Sequence, residues 1–212
     1  EVYHIFSRSI AEYKIFNNRS EYYRMLNTLQ FYQFDNMPIK FSRFIESIKN
    51  QKQKFRSKLF EITKGKDKIV DIIAYCIMPT HIHLILKQLV NDGVTIFMKN
   101  TLSSYSHYFN LKHKRLGPLW QSEFKNVLVV TDEQLLYLTR YLHINPTTAY
   151  LIDNPENWEF SSYKEYIGEV KEKICEFENL LDIDTKEYRE FINDRISYQR
   201  ELKKIKDLLI EK

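Results

Sequence analysis

Residues 69–87 carry the stretch that most restricts how this chain can fold. Ile69-Val70-Asp71-Ile72-Ile73-Ala74-Tyr75-Cys76-Ile77 is dense in β-branched and aromatic residues, Pro79 interrupts it, and His81-Ile82-His83-Leu84-Ile85-Leu86 follows. Proline cannot donate to a strand ladder, so the run is read as two strands flanking a bend or one long bent strand. Side chains alternate faces along a strand, which sends Ile82, Leu84 and Leu86 to one side and His81 and His83 to the other. The apolar side belongs in a core. Two neutral imidazoles on one face suit a divalent metal ion, and equally suit a half-polar sheet surface.

Around that run, elements alternate. Val2–Arg8 reads as a strand and Asn17–Phe34 as a helix, with Ser20 or Asn18 as N-cap and Asn36-Met37-Pro38 as its end. Phe41, Phe44, Ile45 and Ile48 keep helical spacing, and a basic run (Lys49, Lys52, Lys54, Arg56, Lys58) comes next. It is read as a solvated helix face and loop or as a phosphate contact. Lys64-Gly65-Lys66-Asp67-Lys68 is a turn, as is Asn91-Asp92-Gly93. Val94–Lys112 is an amphipathic helix ending in Lys112-His113-Lys114-Arg115, cations suited to a helix C-terminus or to a phosphate. Gly117–Gln121 turns the chain, and residues 123–130 end in an apolar strand. Thr131-Asp132-Glu133-Gln134 is a capping box that opens a helix through Leu135, Leu138 and Leu142, with its end expected at Pro146. The order gives an α+β domain with an antiparallel sheet and helices packed on one face, leaving the histidine face open.

The capped helix repeats Tyr137, Tyr141 and Asn145 at spacings of four, so they share a face roughly opposite Leu135 and Leu142. A phenol can act as a nucleophile and an amide carbonyl can ligate a hard cation; equally, Tyr141 can pack and Asn145 can cap the helix end. His143 points elsewhere and is read as structural.

The chain has 212 residues, 43% hydrophobic and 28% charged, a globular balance with room for a full core. No apolar run approaches the roughly 20 residues needed to span a bilayer, so no membrane partner is expected. Cys76 and Cys175 lack metal-type spacing, Cys76 reads as a small core hydrophobe, and a reduced cytoplasmic protein is the expectation. Net charge is +4, but residues 169–212 hold 10 Lys/Arg against 12 Asp/Glu, which leaves the preceding body at +6. A basic body fits a polyanionic partner.

Together these stretches resemble the single-tyrosine HUH transposases, and specifically the REP-associated tyrosine transposases. The likeness rests on Met78-Pro79-Thr80-His81-Ile82-His83, Gly117-Pro118-Leu119-Trp120-Gln121, Arg140-Tyr141-Leu142-His143-Ile144-Asn145-Pro146 and Trp158-Glu159-Phe160-Ser161-Ser162-Tyr163, and runs from residue 3 to about 192. A third alternating histidine is missing, since Ile85 holds its place, which argues against the histidine-triad hydrolases. The resemblance implies a ferredoxin- or RRM-like palm over residues 1–168 and a helical extension over 169–212. It also implies a divalent ion (Mg²⁺ or Mn²⁺) on His81, His83 and Asn145, and Tyr141 as nucleophile. The substrate it implies is hairpin-bearing single-stranded DNA, cut and rejoined through a 5′-phosphotyrosine. Lys114, Arg115, Gln121 and Arg140 are the candidate substrate contacts, in a monomer or homodimer associated with a bacterial nucleoid. A catalytically silent nucleic-acid-binding protein on the same fold is the alternative. Beyond about residue 195, Tyr198, Leu202, Ile205 and Leu209 form an amphipathic pattern to which the resemblance assigns no role.

Overall fold

In the computed structural model, which describes residues 1–51, 54–196 and 198, β1 (Val2–Arg8) is the strand expected at the amino end. It leads to α1 (Arg19–Tyr32), whose N-cap is Asn18, with the side chain accepting from the Glu21 N–H. The long β-forming run resolves into two strands, β2 (Val70–Met78) and β3 (His81–Gln88), joined at Pro79-Thr80. Between β3 and β4 (Lys125–Val129) lies α4 (Gly93–Lys112). The sheet has the order β2-β3-β1-β4 and every neighbouring pair is antiparallel. Hence β1 and β2 run parallel across β3, as do β3 and β4 across β1, and each of these crossovers carries a helix. This is the ferredoxin-like arrangement, an α+β domain.

The crossover helices α1 and α4 lie side by side. They cover the apolar face, where Ile5, Ile82, Leu84 and Leu86 are fully buried together with Met25, Leu29, Phe97 and Met98. Gly93 opens α4 because a Cβ there would collide with the Ile69 carbonyl oxygen. The helix start is packed against backbone, leaving no room for a side chain.

The helical spacing read for Phe41–Ile48 holds, and helix resumes where a loop was also expected. The stretch forms two helices, α2 (Phe41–Gln51) and α3 (Phe55–Thr63), with a small core of their own made by Phe31, Phe41, Phe44 and Leu59. The aromatic positions, buried against Phe31, decide the structure; Arg43, Lys49 and Lys54 are exposed, while Arg56 and Lys58 are half-buried. The Arg24 guanidinium bridges this core to the main body, over the rings of Phe41 at 4.3 Å and Tyr108 at 4.9 Å. Lys52 lies outside the described residues.

The capped helix α5 spans Asp132–Thr148. Thr131 accepts from the Gln134 N–H at 3.1 Å, and the Gln134 side chain reaches back to the Val130 N–H at 2.9 Å, one residue before the cap. Pro146 does not end the helix as expected. Proline's fixed φ is compatible with a helix and its missing N–H removes one bond, while Ala149 N still reaches the Asn145 carbonyl at 2.9 Å. Helix α5 packs on β2 and β3, and its side chains meet the histidine face of the sheet.

The rest of the chain lines the outer edge of β2. Ile77 N bonds the Phe160 carbonyl, Ser162 N the Tyr75 carbonyl and Glu176 N the Ile72 carbonyl, so that edge is paired. The short α6 (Tyr163–Tyr166) and α7 (Thr185–Asn193) follow, and Cys175, Phe177, Tyr188 and Ile192 share the main core. The apolar strand expected near residue 130 is β4, and among the described residues it forms the open edge of the sheet, with Val127 and Leu128 exposed. The amphipathic tail pattern, Tyr198 apart, lies outside the described residues.

Candidate active site

The site is built where β3, β1 and α5 meet. Register pairs Phe6 with His83 and Arg8 with His81, so the alternating side chains His4, Phe6 and Arg8 of β1 line the same face as the two histidines. The rings of His81 and His83 stand 5.1 Å apart and nearly perpendicular. Tyr141 of α5 faces them, its ring 5.5 Å from that of His83 and at 89° to it, and 6.2 Å from that of His4. The Tyr141 side chain is nonetheless 46% exposed, because α5 leaves the β1–β4 part of this face open. The phenol is thus set against the rings of His83 and His4 and is still reachable from solvent.

Each histidine has one ring nitrogen engaged inside the protein. His81 Nδ1 lies 3.0 Å from Thr80 Oγ1, and His83 Nδ1 lies 3.2 Å from His4 Nε2. Burial, aided by the nearby Arg8 charge, lowers the His81 pKa to about 4, and burial with the neighbouring His81 and His4 pushes His83 well below its ordinary value. Both are therefore neutral at physiological pH, the form that ligates metal. Among the described residues no three His, Cys, Asp or Glu side chains form a group that could hold a metal ion, so a centre here needs a donor of another kind. Asn145 lies on α5, one turn beyond Tyr141, and a side-chain amide oxygen is a hard donor chemically compatible with two imidazoles around a divalent cation.

Burial raises the Tyr141 pKa, and the Arg8 charge works against that rise. Among the described residues Arg8 forms an ion pair only with Glu12, at 3.8 Å and largely exposed, which leaves its charge available to an anion. Phe6, Arg8, Gln121, Glu123 and Lys125 line a cleft of about 380 Å³ beside the histidine face. Gln121 is held there by its N–H to the Arg8 carbonyl, at 2.9 Å.

The other expected substrate contacts are placed differently. Arg115 pins its own loop through Asn110 Oδ1, the Gly117 carbonyl and the Pro118 carbonyl, while Lys114 is exposed beside it in left-handed backbone. Lys112 and His113 are not directed outward; both hold the buried Glu21 carboxylate at 2.7 Å. Arg140 points away from the histidines and lies over the rings of Phe191 at 4.0 Å and Tyr137 at 4.8 Å. His143 is fully buried between Tyr188 Oη at 2.7 Å and Ser162 Oγ at 2.8 Å, the structural role expected of it. Sequence reasoning did not single out His4, Thr80 or Arg8. The His4-x-Phe6-x-Arg8 alternation was visible, but nothing local says that this strand pairs beside the histidines.

A ferredoxin-like sheet carrying a histidine pair, with a tyrosine presented from a separate helix, defines a class of protein in which a phenol and two imidazoles share one open face. The chain belongs to the IS200-like transposase family, whose model (described as "Transposase IS200 like") matches residues 39–145. A curated Haemophilus influenzae protein described as "Putative REP-associated tyrosine transposase" is 27% identical over 103 residues. That alignment takes in 44% of this chain and 58% of the relative, so the chain spans little more than half of the relative's length. The solved structure of a REP-associated tyrosine transposase bound to a REP hairpin superimposes with a TM-score of 0.52 at 13% identity, covering 86% of this chain and 92% of that one. It shows the shared fold.

Proposed function

We propose that this chain acts in DNA transposition, cleaving and rejoining single-stranded, hairpin-bearing DNA through a covalent bond to Tyr141. The observation that carries the proposal is the half-exposed Tyr141 phenol held edge-on to His83 across the face that His81 shares. In the reaction, Tyr141 Oη attacks the phosphorus of the scissile phosphodiester. The new bond joins Oη to phosphorus, the bond from phosphorus to the 3′-oxygen breaks, and the phenol proton leaves while the 3′-oxygen gains one as a hydroxyl. Because the phosphodiester energy stays in the 5′-phosphotyrosine, a 3′-hydroxyl can reverse the step and join strands.

A divalent ion (Mg²⁺ or Mn²⁺) held by His81, His83 and Asn145 supplies Lewis-acid polarisation of the scissile phosphate when bound. The protein's own part is positioning and electrostatics. A free phenol ionises near pH 10, and the Arg8 charge favours the Tyr141 phenolate, offsetting part of the cost of burial. Arg8, Lys125 and Gln121 line the cleft along which the strand runs, and the Lys125 ammonium lies over the Phe6 ring at 5.6 Å, leaving an aromatic and a cation together for a base and its phosphate.

The test is incubation with labelled hairpin-bearing single-stranded DNA and Mn²⁺, followed by denaturing electrophoresis. The wild type gives an adduct that survives denaturation, and Tyr141→Phe gives none. An adduct of equal yield with Tyr141→Phe removes Tyr141 as the nucleophile. Hairpin binding with no adduct from the wild type assigns the silent, nucleic-acid-binding reading instead.

A further inference from the structure

His4 has no part in the reaction outlined above, yet its ring lies within hydrogen-bond distance of His83. Its Nε2 lies 3.2 Å from His83 Nδ1, and the two rings are inclined by only 17° at a centroid separation of 5.5 Å. His83 is 5% exposed, so solvent cannot replace this partner. A neutral imidazole carries one N–H and one bare nitrogen. In a hydrogen bond between two neutral imidazoles, one ring donates, and that choice sets the free nitrogen of the other. If His83 donates from Nδ1, its Nε2 is a bare lone pair; if His4 donates, His83 Nε2 is protonated and cannot ligate. His81 meets the same kind of partner, its Nδ1 facing Thr80 Oγ1 at 3.0 Å. Both histidines thus have the δ nitrogen engaged and the ε nitrogen left over, the pattern by which outer-shell groups orient metal-binding imidazoles.

We propose that His4 is a positioning residue that accepts the Nδ1–H of His83 and so locks His83 in the tautomer with a bare Nε2 turned to the site. Fixing the ring in this way removes both the wrong tautomer and free rotation about its side-chain bonds before any ion or DNA arrives. The ligand role of His83 belongs to the reading under Proposed function, on which this inference rests; the tautomer itself does not depend on it. His4 holds its own proton on Nδ1, and a side chain able to accept a hydrogen bond at the same place should serve in its stead.

The test is long-range ¹H–¹⁵N correlation of the imidazoles in the metal-free protein, together with Mn²⁺ titration of the wild type, His4→Phe and His4→Gln. In the wild type, His83 shows a protonated Nδ1 and a bare Nε2. His4→Phe moves the proton toward Nε2 and weakens Mn²⁺ binding by about 10- to 100-fold, while His4→Gln, whose amide carbonyl can accept, keeps the wild-type tautomer and most of the affinity. A wild-type His83 protonated at Nε2 overturns the inference, and so does a tautomer unchanged in His4→Phe. The wild-type spectrum decides even where a variant fails to fold. The expected tautomers with no Mn²⁺ bound by any form uphold the role of His4 and remove the metal reading instead.

Discussion

Tyr141 stands edge-on to His83 at 89°, with 5.5 Å between ring centroids, and the two residues belong to one chain. The contact spans elements with no local connection, a hairpin strand and a helix that begins some forty residues later.

Replacing His81 separates chemistry from grip. His81 is partly exposed and makes one side-chain hydrogen bond, to Thr80, so His81→Ala leaves the core intact. DNA cleavage is lost, and hairpin affinity in a gel-shift titration stays within a few fold of wild type. Parallel loss of both shows that His81 is needed for folding.

Glu21 makes the fold acid-sensitive. Burial pushes its pKa up, but hydrogen bonds from Lys112, the Asn17 N–H and His113 outweigh burial and hold it at about 2. The unfolded chain takes up that proton near pH 4.3, so the stabilisation is complete above about pH 5 and is lost as pH falls toward 2. It amounts to a few kcal/mol, on the order of 3. Urea midpoints measured between pH 6 and pH 3 fall for the wild type, and the fall is shallower for Glu21→Gln.

Gly93→Ala forces the start of α4 away from the Ile69 carbonyl. The expected cost is about 1–3 kcal/mol, read in calorimetry as roughly 2–4 °C of Tm per kcal/mol for a chain of this size. An unchanged Tm means that the β2–α4 junction yields freely.

Tyr188→Phe removes one hydroxyl that serves two buried groups, His143 Nδ1 at 2.7 Å and Thr139 Oγ1 at 2.9 Å. Leaving a buried imidazole nitrogen unpaired costs about 1–3 kcal/mol. Hydrogen exchange then speeds up in α7 and in the second half of α5 together. Faster exchange in α7 alone shows that the contact is not shared.

The parts legible in the sequence are those set by neighbours along the chain. Asn18 and Thr131 each cap a helix through an N–H three residues on, and Pro79 splits a β-forming run where its missing donor requires. Tyr141 and His83 were individually visible for the same reason, each from the spacing of its own element. What was not legible is strand pairing: β1 lies between β3 and β4, and only that register brings His4 and Arg8 beside the histidines. Register is set by the whole hydrophobic face and not by any local signal. Arg140 shows the same gap from the other side, since its neighbour Phe191 lies on an element whose docking no local pattern encodes. Pro146 was misjudged because a missing N–H near a helix end removes only one bond, too little to stop the turn.

The β2 edge, closed by Phe160, Ser162 and Glu176, faces away from the open β4 edge. The sheet can therefore grow in one direction only. Among the described residues, any strand added to it has to enter beside Lys125 and the cleft of Phe6 and Arg8. A strand docked there would crowd the mouth of that cleft.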